Sequence, residues 1–144
     1  MDCRIHKLVA DVAVLAQEQV LLVRYRDTRR YDGQTGWFLP DDYLEHVEHP
    51  DAAAVRILEE QAGLAASHAR LSHIESFDGD GSPWHLVFHY VVKHEEPSAV
   101  VPGDNVLAAE WFRLDELPPG AEQAHGGWAA EVLDEIRRRL ESEP

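Results

Sequence analysis

The chain is poor in cysteine, in positive charge and in long apolar runs, and each shortage removes a class of function. Its 144 residues include one cysteine, Cys3, so no disulfide can form within the chain. That suits a reducing compartment, and a cytoplasmic location is the expectation. Lys and Arg number 13 against 27 Asp and Glu, a net charge of −14. A surface of that sign repels a phosphate backbone, so duplex nucleic acid is not an expected partner. No stretch approaches the ~20 apolar residues that a membrane span needs. The run at residues 8–16 is interrupted by Asp11 and has no cleavage-like continuation, so no secretory leader is expected.

What is present describes a folded globule. Hydrophobic residues make up 44% of the chain, with four each of Trp, Tyr and Phe spread along it, enough for one domain with a real core. The runs "KLVADVAVLA" (7–16) and "VLLVRYR" (20–26) flank a polar "QEQ" and read as a hairpin. A charged loop, "RDTRRYDGQT", leads into "GWFLP". A helix is expected over 50–62, with Pro50 in its first turn, Asp51 at its positive end and Gly63 closing it. Ala54, Val55, Leu58 and Ala62 would face a sheet. Strands follow at "ARLSHIESF" and "WHLVFHYVV", separated by the turn "DGDGSP". After the loop "EEPSAVVPGDN", "VLAAEWFRLDEL" supplies a last strand and a turn. The end, "GGWAAEVLDEIRRRLES", is an amphipathic helix with Trp128, Val132, Ile136 and Leu140 along one side. No repeat or linker divides the chain, so the expectation is a single mixed α/β domain over 1–144, helices on both faces of a sheet.

Residues 36–64, "GWFLPDDYLEHVEHPDAAAVRILEEQAGL", carry the chemistry-bearing pattern. The stretch resembles the Nudix hydrolase box, G-x5-E-x7-R-E-U-x-E-E-x-G-U with U aliphatic. Aligned by spacing, Asp42 takes the first Gly, Glu48 the first Glu, Arg56 the Arg, Leu58 the aliphatic, Glu60 the first of the paired Glu, and Gly63-Leu64 the closing pair. "GWFLP" upstream and "AAEWFRLDELP" downstream are also typical of that family. The resemblance implies an α/β/α sandwich with a mixed sheet and a hydrolase for a nucleoside diphosphate linked to another moiety. It also implies Mg²⁺ or Mn²⁺ on the helix carboxylates.

Three box positions depart from the pattern: Ile57 and Gln61 stand where Glu is expected, and Asp42 takes the first Gly, Asp41-Asp42 replacing a glycine pair. Positions 57, 60 and 61 are spaced i, i+3, i+4 and are expected on one helix face. Of the three, only Glu60 brings a carboxylate. Mg²⁺ often uses one or two protein carboxylates, so Glu60, with Glu48 and Asp42, is the candidate metal set. Glu48, Arg56 and Glu60 are the candidate catalytic residues. Arg56 has a second role open to it, ordering the loop–helix junction through Glu48 or main-chain carbonyls. Losing a general base at 57 would cost on the order of 10²–10⁴ in rate.

Arg24 and Arg26, alternating onto one side of a strand, are candidates to hold a substrate phosphate, and pairing with Asp27 or Asp32 is the plainer alternative. Trp37, Tyr31 and Trp84 are candidates to stack on a base. Nine histidines allow a zinc alternative, in which His46 and His49 would converge with His85 and His89. Asp41, Asp42 and Glu45 could instead rebuild a displaced cation site. Two functions follow: a divergent hydrolase of weak or altered activity, or a catalytically inactive module of the same fold that binds a nucleotide or a protein. A small phosphorylated ligand is the expected partner, and a homodimer stays open.

Overall fold

The computed structural model describes residues 6–66, 68–78 and 83–143; Cys3 and most of the "DGDGSP" turn lie outside them. Among the described residues the strands are β1 (His6–Ala16), β2 (Gln19–Tyr25), β3 (Asp41–Tyr43), β4 (Arg70–Asp78), β5 (Trp84–Lys93) and β6 (Val106–Arg113), and the α-helices are α1 (Pro50–Ala62) and α2 (Trp128–Glu141). They form one six-stranded mixed sheet in the order β4-β5-β1-β2-β6, with β3 pairing on β1. β1 and β5 run parallel in register from His6↔Trp84 to Leu15↔Lys93, and the other pairs are antiparallel. Gln17 and Glu18, both at positive φ, make the two-residue β1–β2 turn, the backbone that matches strand twist.

Both faces of the sheet are covered, which is why β1 is buried almost continuously instead of alternating. On one face Val12, Val14, Leu21 and Tyr90 pack against Ala54, Leu58 and Ala62 of α1. On the other, Ala13, Val20, Leu22 and Val91 pack against Ala129, Val132, Leu133 and Ile136 of α2. The chain is an α/β/α sandwich. The expected α1 stripe needs one correction: Val55 is half-buried, while Ala53, Ile57 and Gln61 are buried. The stripe is wider because the helix also packs over Ala10 of β1. Among the described residues no helix is long and apolar enough to cross a membrane.

The boundaries of α1 have local causes. His49, extended, accepts the Asp51 N–H on its Nδ1 at 3.0 Å, and Pro50 follows with no donor to lose. Tyr90 Oη donates to Asp51, tying the helix start to β5. Gly63, at φ +65°, ends the helix by donating to the Glu59 carbonyl. The loop at 101–103 then caps the carbonyls left over, with Val101 N donating to Ala62 at 2.9 Å and Gly103 N to Gln61 at 3.0 Å. A Cβ on Gly103 would lie 1.9 Å from the Glu60 carbonyl oxygen, so only glycine permits that approach.

Candidate functional site

Arg56 organises the junction between the acidic loop and α1. Its guanidinium donates to Glu48 twice, Nε to Oε2 at 2.8 Å and Nη2 to Oε1 at 2.9 Å. Nη2 also reaches the Tyr43 carbonyl at 3.0 Å, and Nη1 donates to Glu60 Oε2 at 3.1 Å. Asp42 Oδ2 lies 3.5 Å from Nη1. Glu48 and Glu60 therefore bond one protein cation, and Asp42 stands beside it. Hydrogen bonding from Arg56 holds the Glu48 carboxyl below its usual range, and the Glu48 bond in turn raises Arg56.

The two divergent helix positions are part of the packing. Ile57 is fully buried with Ala10 and Ala53, under Leu44 and Phe88. The Gln61 amide is committed at both ends: Nε2 donates to the Asp41 carbonyl at 2.7 Å and Oε1 accepts from Tyr25 Oη at 2.8 Å. Tyr25 Oη accepts the Asp41 N–H at 3.0 Å, closing the network. Glu60, by contrast, is 57% exposed. Positions 60 and 61 are separated by roughly 100° around the helix. The edge of the buried stripe falls between them, so the expected three-residue face is divided.

A cleft of about 520 Å³ opens on the α2 side of the sheet. Tyr31, Phe38, Tyr43, Phe77 and Trp128 give it aromatic walls. Two cations stand at Tyr43, Lys7 Nζ 5.7 Å and the Arg30 guanidinium 5.5 Å from its ring centre. Each is also held by an acid: Lys7 donates to Asp32 at 2.7 Å and Arg30 to Asp42 at 2.7 Å. His85 and His125 face Asp32 at 3.6 and 3.4 Å. Asp41 lines the same cleft. Burial, with Asp11 and Asp42 nearby, pushes its carboxyl well above the ordinary range and favours its neutral, donating form.

Behind the cleft a buried chain of charge crosses three strands. His89, fully buried, bonds Asp11 Oδ1 through Nδ1 at 2.7 Å and Glu75 Oε1 through Nε2 at 2.6 Å. Burial opposes charge on this ring, but the two carboxylates outweigh it and raise its pKa to about 10. Asp11, which in sequence only interrupts an apolar run, is fully buried, and among the described residues its Oδ2 has no hydrogen-bond partner. The His73 ring lies 4.5 Å from that of His89, and burial lowers its pKa to about 4.

The candidates drawn from sequence are thus distributed over separate places. Glu48, Arg56, Glu60 and Asp42 meet at the junction. Arg24 and Arg26 are exposed, and Arg24 stands 5.7 Å over the ring of Trp37. Trp37 packs edge-on against Phe112 at 4.9 Å, and none of these three lines the cleft. Tyr31 lines it while stacked on Tyr25 at 3.7 Å, whereas Trp84 donates to Ser76 Oγ. The two histidine pairs do not converge, since His49 caps α1 and His85 enters the cleft without His89. Lys7, Tyr43 and His125, which also line the cleft, occupy no fixed position of a motif in the sequence. The alternation Lys7, Val9, Asp11 on one face of β1 was the available signal.

A family model, NUDIX domain, matches residues 6–135. The chain belongs to the NUDIX family. Solved NUDIX structures share the fold at low identity. A MutT NUDIX hydrolase from Burkholderia pseudomallei superposes with a TM-score of 0.74 at 21% identity, covering 92% of this chain and 98% of that one. A C. elegans Ap4A hydrolase in a binary complex gives 0.72 at 15%, covering 95% and 99%. The NUDIX domain of Shewanella oneidensis NrtR complexed with ADP ribose gives 0.75 at 17%, covering 95% and 90%. Among curated proteins, no sequence match accompanies these structural ones.

NUDIX hydrolases generally use divalent metals, and the carboxylates of this chain's box that would hold one are Glu60, Glu48 and Asp42. A hydrated cation needs convergent oxygen ligands. Here position 57 offers a buried alkyl group, position 61 an amide already bonded twice, and Glu60 and Glu48 bond the Arg56 guanidinium with Asp42 beside it.

Proposed function

We propose that this NUDIX chain binds a small phosphorylated ligand of the nucleoside diphosphate class in its α2-side cleft and does not hydrolyse it through the box. One observation carries the loss of box chemistry: Ile57 and Gln61 are built into the core and its hydrogen bonds. Aromatic walls flanked by Arg30 and Lys7 support the ligand class, because a base can stack there while guanidinium and ammonium donors meet phosphate. Arg30 is 58% exposed on its side chain and spends one amino group on Asp42, leaving donors free for an anion. The ADP ribose in the complex with the NrtR domain is a ligand of this class on the same fold.

The test is calorimetric titration with ADP-ribose, ADP and inorganic phosphate, beside a phosphate-release assay over the same compounds with Mg²⁺ and Mn²⁺. Binding without release, weakened about tenfold or more by Arg30→Ala, supports this function. Binding that Arg30→Ala leaves unchanged removes the cleft assignment. The exposed Glu60 carboxylate favours a second function, hydrolysis of a nucleoside diphosphate linked to another moiety with Mg²⁺ or Mn²⁺. Turnover abolished by Glu60→Gln would establish it.

A further inference from the structure

His73, Glu75 and His89 each offer a ligand atom, and those atoms all lie within 4.8 Å of one another. They stand on neighbouring strands, β4 and β5, outside both the box junction and the lining of the cleft. A register shift between Leu71 and His73 sets them together. Leu71 pairs with Tyr90, and an unbroken antiparallel register would place His73 opposite Phe88, whose neighbours belong to the α1 side. The irregularity moves His73 opposite His89 and onto the face it shares with Glu75.

We propose that His73, Glu75 and His89 form a binding site for a first-row transition metal ion, with zinc the best fit. The ring hydrogen bonds favour ligation as much as the spacing does. His89 Nδ1 is fixed by the buried Asp11 carboxylate, and His73 Nδ1 lies 3.0 Å from Ser72 Oγ. That leaves His73 Nε2 for a metal, while His89 Nε2 now bonds Glu75, the third member of the set, and would exchange that bond for an ion held by both. A carboxylate behind a ligating histidine is the arrangement that orients the ring and raises its basicity. Two imidazoles and one carboxylate form a nitrogen–oxygen set suited to Zn²⁺, with a fourth position left for water.

The metal-free geometry is close to the required one. His89 Nε2 and Glu75 Oε1 are now 2.6 Å apart, and tetrahedral ligands about 2.0–2.1 Å from zinc stand roughly 3.3 Å apart. Glu75 must therefore swing outward by a fraction of an ångström. Its side chain is 37% exposed, so it has room to move, while His89 and Asp11 are held rigidly in the interior. Trp128 lies over the His89 ring at 5.6 Å and screens the site on the α2 side.

Metal-stripped protein should be titrated with Co²⁺, followed by its visible d–d absorption, and then with Zn²⁺ in competition. The expected result is one Co²⁺ per chain with the strong bands of four- or five-coordinate cobalt, displaced by Zn²⁺. His73→Ala and Glu75→Gln, both on an edge strand with solvent access, should each weaken binding at least about tenfold while the circular dichroism spectrum is kept. The double substitution His46→Ala, His49→Ala should leave the bands unchanged. The inference is overturned if no such bands form, if they survive both β4 substitutions, or if they vanish with the His46/His49 pair. In those cases Asp11, His89 and Glu75 form a buried ion-pair chain and nothing more.

Discussion

The side-chain amide of Gln61 donates to the main-chain carbonyl of Asp41 at 2.7 Å, joining the last turn of α1 to the first residue of β3. This bond needs an N–H at position 61, which a carboxylate cannot supply. Gln61→Glu would set an acceptor against the Asp41 carbonyl in a buried place, next to a Tyr25 hydroxyl able to satisfy only one oxygen. Refilling the box by sequence should therefore destabilise the protein by about 1–3 kcal/mol and add no metal affinity. Urea unfolding and Mg²⁺ calorimetry on the variant decide it. Unchanged stability with newly measurable Mg²⁺ binding would contradict the structural role given to Gln61.

Ile57→Glu should be harsher. Its side chain is fully buried among Ala10, Ala53, Leu44 and Phe88, none of which offers a side-chain hydrogen bond. An ionised carboxyl there has no partner, so a loss on the order of 4 kcal/mol or more is expected. Thermal unfolding against Ile57→Val, a cost of about 0.5–1.5 kcal/mol, separates the charge from simple loss of volume.

The helix α1 was legible to the residue, because Pro50, Asp51 and Gly63 are local signals with local causes. The junction of Arg56 with Glu48 was legible too, since a planar five-donor guanidinium suits an acid and the main-chain carbonyls at a loop–helix boundary. The division of positions 57, 60 and 61 was not. It depends on where the edge of the sheet falls beneath the helix, which spacing along one helix does not contain. The cluster of His73 with His89 was hidden for a related reason. Alternation assigns strand residues to faces, but here a register irregularity decides which residues stand opposite each other. Asp11 looked like a break in an apolar run. Its partner is 78 positions away in sequence, beyond the reach of any local signal.

Asp41 should give the protein an inverted pH response. Burial first, then the negative charges of Asp11, Asp42 and Asp32, lift its folded pKa well above the 3.8 of a free side chain. Between those two values the folded state binds more protons than the unfolded state, so stability falls as pH rises through that window. Its contribution is complete below 3.8 and lost above the folded value. Asp41→Asn removes this dependence and should gain stability relative to the parent as pH rises. Urea midpoints of both proteins between about pH 4 and 8 test it. Parallel profiles would mean that Asp41 titrates in the folded state as it does in water.

Glu60 separates the two proposed functions. Its carboxylate is the one charged group left at positions 57, 60 and 61, and it lies at the solvent edge, paired with Arg56 at 3.1 Å. Glu60→Gln nearly keeps size and helix propensity, and an exposed ion pair contributes little, so stability should change by no more than about 1 kcal/mol. Glu48 still holds Arg56 by two bonds, so the junction persists. If the chain only binds, affinity for ADP-ribose in the cleft should stay within about twofold, because Glu60 is not among the residues that line it. If the chain hydrolyses through its box, turnover should fall by roughly tenfold or more, since metal stabilisation of a transferring phosphoryl group is worth several kcal/mol. Parallel calorimetry and phosphate-release assays on parent and variant give the two results independently. Turnover that survives Glu60→Gln undiminished would place any chemistry away from α1, with Asp41 and the histidines of the cleft as the remaining candidates.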